Sequence, residues 1–331
     1  SMTSITGYDL NLFARGISQE QFQKLNNNPL KPLFNRPIMA EVPPGSVFKL
    51  VTGSAAIEAL GVEADSVFYD RNATFSQPHW ETTFRNWFPY GEGKLTFLRA
   101  IARSNNIIFY KLGYKLYKKY KGRKLTEFAR KYGFGENTGI DLPGEQDGLV
   151  PTGEWKRENL GHGWLPGDSI NLSIGQGDLL TTPIQIAEIV CAIANNGVMY
   201  KPYLVDKVVN EKGEIIKDYK PEIRKNLKFD NNVFEILKKG MTQVTNSDGG
   251  TASSIFKNFP IKVAGKTGTA QTSISNANHG WFVGFAPVSE PEVVVLVFLE
   301  NGYSSSYTLP IAAAIFKSYF GLSQETFKSL K

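Results

Sequence analysis

A serine and a lysine three residues apart at the start of a helix can make an activated hydroxyl. The sequence places such a pair at Ser46 and Lys49. A hydroxyl is a poor nucleophile until a base takes its proton, and an amine can be that base only when neutral. At i and i+3 the two side chains share one helix face. Pro43-Pro44-Gly45 forces a sharp entry before Ser46, and an apolar pattern from Phe48 to Leu60 carries the helix on to Gly61. Ser46 is therefore expected at or near the helix N-terminus, where backbone N–H groups point at developing negative charge.

Spacing alone does not single this pair out. Ser254 and Lys257 have the same spacing, but they follow Gly-Gly-Thr-Ala-Ser and lack a comparable apolar continuation. Two further elements make the pair informative. Ser104-Asn105-Asn106 is a polar break between two helical patterns. A similar Ser169-Ile170-Asn171 lies in a Gly/Pro-rich loop. Lys266-Thr267-Gly268-Thr269 occurs once, at the end of a predicted strand that runs into it from Ile261–Ala264.

The elements that must hold these residues can be read coarsely. The first 45 residues are loop-rich. Helical patterns run over Thr96–Arg103, Ile107–Tyr120 and Leu125–Tyr132, the last closed by Gly133. Thr182 with Pro183 opens a helix to Asn195, and Asp230 is the expected cap of a helix to Val244. Tyr203–Asn210 and Glu214–Tyr219 read as a hairpin. Trp281–Ala286 and Glu292–Leu299 read as strands. The run Val293–Leu299 is continuously apolar, which predicts burial on both faces and helices on both sides of its sheet, Leu309–Tyr319 being one cover.

Composition narrows the function. At 331 residues, 41% hydrophobic and 21% charged, the chain has the make-up of a globular protein with a real core. No apolar run reaches the roughly 18 residues that cross a bilayer. Ser1-Met2 reads as a cloning remnant, so the sequence is expected to be part of a longer protein. The net charge of +6 is a mild excess. The densest basic run, Lys115–Arg123, suits an anionic membrane surface or cell-wall polymer. It lacks the aromatic stacking platform of a single-strand binder, so nucleic acid is not an expected partner. The single cysteine, Cys191, sits in an apolar helical pattern and reads as a buried, inert thiol. His79, His162 and His279 lack metal-like spacing, and Asp70 with His79 offers no third ligand. No metal or cofactor is expected. Gly175 and Gly177 lack the context of a nucleotide loop.

Serine with lysine, then Ser-x-Asn between helices, then Lys-Thr-Gly, is the motif set of serine β-lactamases and penicillin-binding proteins. The chain resembles the transpeptidase domain of class B penicillin-binding proteins, most of all the elongation-type penicillin-binding protein 2 group. The resemblance covers nearly the whole chain, including YDLNLFARGIS (8–18), FNRPI (34–38), VPPGSVFK (42–49), SIGQGDLLTTPIQIA (173–187), ANNG (194–197), GKTGTAQ (265–271) and HGWFVGFAP (279–287).

What the resemblance implies is an α+β fold. It would comprise a five-stranded antiparallel sheet sandwiched between helices, with an all-helical lobe alongside and the site between them. One transpeptidase domain would span 1–331, its α/β part at about 1–65 and 200–331 and its lobe at about 66–199. An anchor and pedestal would precede the sequence. The family's strand upstream of YDLNLF would be missing or built from SMTSIT. The resemblance also implies roles. Ser46 attacks a D-alanyl-D-alanine stem peptide of peptidoglycan, Lys49 is the base, and Ser104 shuttles the proton to the leaving nitrogen. Asn106 binds the substrate amide, while Lys266, Thr267, Gly268 and Thr269 form the strand that holds the terminal carboxylate. The N–H groups of Ser46 and Thr269 form the oxyanion hole. β-Lactams would be covalent inhibitors. A glycosyltransferase of the elongation machinery would be the partner, at the outer face of a bacterial cytoplasmic membrane.

Two other readings stay open at this stage. A D,D-carboxypeptidase or β-lactamase would pass the acyl group to water, although no motif places a carboxylate for that purpose. A non-catalytic sensor would bind β-lactam or cell-wall peptide without acylation. Trp87, Tyr90 and the other aromatics of residues 65–93 are expected to pack under a long loop rather than line a groove. His279 is expected to make a structural hydrogen bond.

Overall fold

The computed structural model describes residues 1–14, 16–230, 232–272 and 277–322. At its centre are three antiparallel strands, Ala264–Ala270, His279–Ala286 and Val293–Leu299, with His279–Ala286 in the middle. The register sets Gly268 opposite Trp281 and Lys266 opposite Val283 on one side, and Trp281 opposite Phe298 on the other. Among the described residues this central sheet therefore has three strands, two fewer than the resemblance implies. Residues 1–6 form no strand.

Side chains alternate across a strand, so Lys266, Gly268, Trp281 and Val283 share one face and Thr267 and Phe282 the other. Phe282 stacks on Phe256, 5.1 Å between ring centroids, and Phe256 meets Phe316 of the Thr308–Tyr319 helix. The helices Pro183–Ala194 and Val233–Asn246 also pack on the strands. The Pro183–Ala194 helix thus belongs with the sheet, although its residues fall inside the 66–199 span expected for the lobe. Val295 and Val297 are buried, while the residues flanking them are half-buried. Among the described residues Val293–Leu299 is an edge strand, and burial of its two faces is incomplete.

Three elements depart from their expected boundaries. The strand begins at Ala264 instead of ending there, so Lys266-Thr267-Gly268 lies within it. The helix expected to start at Asp230 runs from Val233 to Asn246, with Asn232 at its cap position. The hairpin is shorter than read, pairing Lys207–Val209 with Ile215–Asp218.

The helix Lys49–Leu60 lies at the heart of the molecule. All its residues from Lys49 to Ala59 except Glu58 are buried, and it closes on Gly61 in the left-handed conformation. A helix apolar all round must be surrounded. It packs against Asn106–Tyr120, Arg123–Lys131 and Val233–Asn246. Burial of Leu50, Val51 and Ile57 contributes about 1.5–3 kcal/mol each. The lobe beside it is mostly helical but not wholly so. Val67–Asp70 pairs with Gly93–Thr96, and Thr74–Phe75 with Phe84–Arg85.

Candidate active site

Residues Gly45–Phe48 form a tight 3-10 turn that feeds straight into the Lys49–Leu60 helix. Ser46 is in that turn and half-buried. Three glycines let three segments close to backbone contact around it. Gly45 has φ +54, and a Cβ there would lie 2.8 Å from the Thr269 carbonyl oxygen. A Cβ on Gly175 would lie 2.2 Å from the Gly45 carbonyl oxygen, and one on Gly268 3.0 Å from Val47 Cγ2. The Gly45 N–H donates to the Gly175 carbonyl at 3.0 Å. Gly175 is thus a tertiary spacer. The turn carrying Ser46 is clamped between the 173–177 loop and the Ala264–Ala270 strand.

Lys49 is fully buried. Its Nζ donates to the Ser104 carbonyl oxygen at 2.7 Å, to Ser104 Oγ at 3.3 Å and to Asn106 Oδ1 at 2.7 Å. Lys266 Nζ reaches the same Ser104 Oγ at 2.9 Å and its neighbour Thr267's carbonyl at 2.9 Å. One serine hydroxyl therefore bridges two buried amines. Burial, and then the Lys266 cation, hold the Lys49 ammonium well below the usual lysine range, with Glu92 pulling the other way. Burial brings Lys266 down to about 7. Such an amine can be neutral and accept a proton at physiological pH. Phe109 lies 5.3 Å from Lys49 Nζ and forms one wall.

Ser104 holds φ +50, a left-handed conformation that costs a residue with a Cβ about 1–2 kcal/mol. That backbone turns its carbonyl onto Lys49. The conformation is held from below by Asn105, which is fully buried. Its Nδ2 donates to Asp70 Oδ2 at 2.7 Å and Glu92 Oε2 at 2.8 Å, and its Oδ1 caps the Asn106–Tyr120 helix through the Ile108 N–H. Asn86 Oδ1 accepts from the Asn106 N–H at 2.9 Å. Glu92 also pairs with Arg103. Asn105 is the silent middle residue of the Ser-x-Asn motif, and its place between two helical patterns was the one available signal of its role.

Along the strand, Thr267 is buried and its hydroxyl lies 2.6 Å from that of Thr251. Thr269 is exposed and meets the Ser305 hydroxyl at 3.3 Å. Thr251 and Ser305 lie outside the three motifs and were not anticipated. The structure thus gathers Lys49, Ser104, Asn106 and Lys266 into one hydrogen-bonded group. Ser46 lies in the turn that leads directly into Lys49, and Thr267, Gly268 and Thr269 follow Lys266 along its strand.

The remaining candidates fall outside this group. His279 accepts from the Asn301 N–H at 3.1 Å, a structural bond. Burial pushes the Cys191 thiol up to about 12. Asp70 spends its carboxylate on Ala73, Asn86 and Asn105. Phe75, Trp80 and Phe84 pack with Tyr110 and Tyr114 as expected. Trp87 and Tyr90 do not, being 52% and 72% exposed. Trp87 lies against the Arg103 guanidinium and donates to the Arg103 carbonyl, which leaves its ring beside the site instead of under the loop.

A serine in a clamped turn, beside two depressed lysines that share a second serine, has the chemistry of serine acyl transfer. The chain belongs to the penicillin-binding protein family, whose transpeptidase-domain model, "Penicillin binding protein transpeptidase domain", matches residues 6–321. Peptidoglycan D,D-transpeptidase MrdA of Escherichia coli K12 is 32% identical over 324 residues, covering 91% of this chain and 49% of that protein. Pseudomonas aeruginosa PBP2, solved in complex with WCK 5153, superposes with a TM-score of 0.83 at 33% identity, covering 96% of this chain and 70% of that one. Helicobacter pylori PBP2, solved in complex with MreC, gives 0.81 at 31% identity, covering 97% and 57%. The chain spans about half the length of the curated relatives it matches.

Proposed function

We propose that this domain is a peptidoglycan D,D-transpeptidase acting through an acyl-serine. The observation that carries the reading is Ser104 Oγ shared between Lys49 and Lys266, beside the clamped turn of Ser46. Ser46 Oγ attacks the carbonyl of the penultimate D-alanine of a stem peptide, and neutral Lys49 takes its proton. Ser104 relays a proton to the leaving nitrogen as the peptide C–N bond breaks and D-alanine departs. An amine of a second stem peptide then attacks the ester, its proton returns by the same route, and Ser46 is released.

The Ala264–Ala270 strand is an edge of the sheet among the described residues. Its unpaired backbone groups suit an extended peptide laid alongside as an added strand. Asn106 would hold that peptide's amide, and Lys266, Thr267 and Thr269 its carboxylate. Backbone N–H groups of Ser46 and Thr269 would stabilise the oxyanion. A β-lactam would enter the same path and leave a lasting ester. In the native protein the domain would work on the outer face of a bacterial cytoplasmic membrane beside a glycosyltransferase. No helix among the described residues is long and apolar enough to cross a membrane.

Transfer to water is the competing reading. Glu92 is the carboxylate coupled to Lys49, yet it is engaged by Arg103 and Asn105, a poor disposition for activating a water. Incubation with a D-Ala-D-Ala donor and a stem-peptide amine decides between them. Cross-linked product is expected. Free, shortened donor alone would point to a carboxypeptidase.

A further inference from the structure

Thr251 lies outside the sequence motifs, in the loop between the Val233–Asn246 helix and the short helix Ser253–Phe256. That loop touches both walls of the site. The Thr251 N–H donates to the Ala102 carbonyl at 3.2 Å, two residues before Ser104. Arg103 Nη1 donates to the Gly249 carbonyl at 2.6 Å. From this anchored position the Thr251 hydroxyl meets the Thr267 hydroxyl at 2.6 Å.

We propose that Thr251 is a positioning residue for the substrate carboxylate, acting through Thr267. The inference rests on the acyl-transfer reading above. A threonine hydroxyl has one proton and can rotate it. If Thr267 spent that proton on Thr251, it would present only lone pairs to an anion, and carboxylate and hydroxyl would repel. When Thr251 donates, one lone pair of Thr267 is occupied and its rotor is fixed. Its proton is then free for the carboxylate, and the chain of two hydroxyls strengthens that bond. Thr267 is 4% exposed, so little water is available to orient it instead. Lys266 beside it supplies charge, and the hydroxyl pair supplies direction.

The test compares acylation rate constants for benzylpenicillin, which carries the carboxylate, and its methyl ester, which lacks the charge. The variants are Thr251→Val, Thr251→Ser, Thr267→Val and the Thr251→Val/Thr267→Val double variant. Thr251→Val is expected to lose about tenfold on the acid and less than about twofold on the ester, as one charge-directed hydrogen bond is weakened. Thr251→Ser should restore the acid rate. In the Thr267→Val background, Thr251→Val should have no further effect. Equal losses on acid and ester, or losses that add in the double variant, would mark Thr251 as merely structural and overturn the proposal. An unchanged Thr251→Val rate would do the same. Failure of the unaltered protein to be acylated at all would instead sink the acyl-transfer reading itself.

Discussion

Replacing Gly175 by alanine tests whether the 173–177 loop shapes the catalytic turn. Gly175 has φ +71, so an alanine there costs about 1–2 kcal/mol in backbone strain. Its methyl would sit 2.2 Å from the Gly45 oxygen and 2.8 Å from Phe48 Cβ, and that crowding adds about 1–3 kcal/mol. Gly177 is the internal control. It has φ +86, but its Cβ would meet only Asn171 Cβ at 3.6 Å, an ordinary contact. At about 2 °C per kcal/mol for a domain of this size, Gly175→Ala should lower Tm by about 4–10 °C and Gly177→Ala by about 2–4 °C. Acylation by a fluorescent penicillin, followed in stopped flow, should separate them further. Moving the turn displaces Ser46, and a misplacement near 1 Å costs about a hundredfold. Gly177→Ala should acylate at the normal rate. A Gly175→Ala protein that acylates as fast as the unaltered one would refute the view that this contact sets the Ser46 turn.

Other outcomes follow from the buried charges. Lys49→Ala should abolish acylation while circular dichroism stays native, because the amine is the proposed base. Lys266, lowered to about 7, leaves the folded chain with fewer bound protons than the unfolded chain between about pH 7 and its ordinary value of 10.5. Stability from this group therefore rises with pH across that window, and the rise in Tm should be shallower in Lys266→Met. Arg224 ties Glu188 to Glu136 and the Asn137 carbonyl, and Glu188 is buried and raised to about 7. Arg224→Ala should cost about 3–5 kcal/mol in urea denaturation at pH 8, and less at pH 5, where the Glu188 carboxyl is neutral.

The parts of the site legible in the sequence are those fixed by local rules. The Pro-Pro-Gly entry, the apolar run to Leu60 and the i, i+3 pair of Ser46 and Lys49 lie within a few turns of chain. Ser104 was visible as polar residues where two helices meet. What escaped is set by contacts distant in sequence. Lys266-Thr267-Gly268 reads as the end of a strand, but its poor strand propensity hides that the strand runs on to Ala270. Pairing with the apolar His279–Ala286 strand overrides that preference. Gly175 is explained only by Gly45, and Asn105 only by Asp70 and Glu92. The Trp87 ring is drawn to the surface by Arg103, which no local pattern announces. The Asp230 cap failed because the helix starts later, at Val233.

The central claim is that Ser46 is the acylated residue. Intact-mass spectrometry after incubation with benzylpenicillin tests it in one step, with Ser46→Ala alongside and both proteins confirmed folded. One added β-lactam is predicted on the unaltered protein, mapped by peptide digestion to Ser46, and none on Ser46→Ala. An adduct that persists in Ser46→Ala would contradict the account.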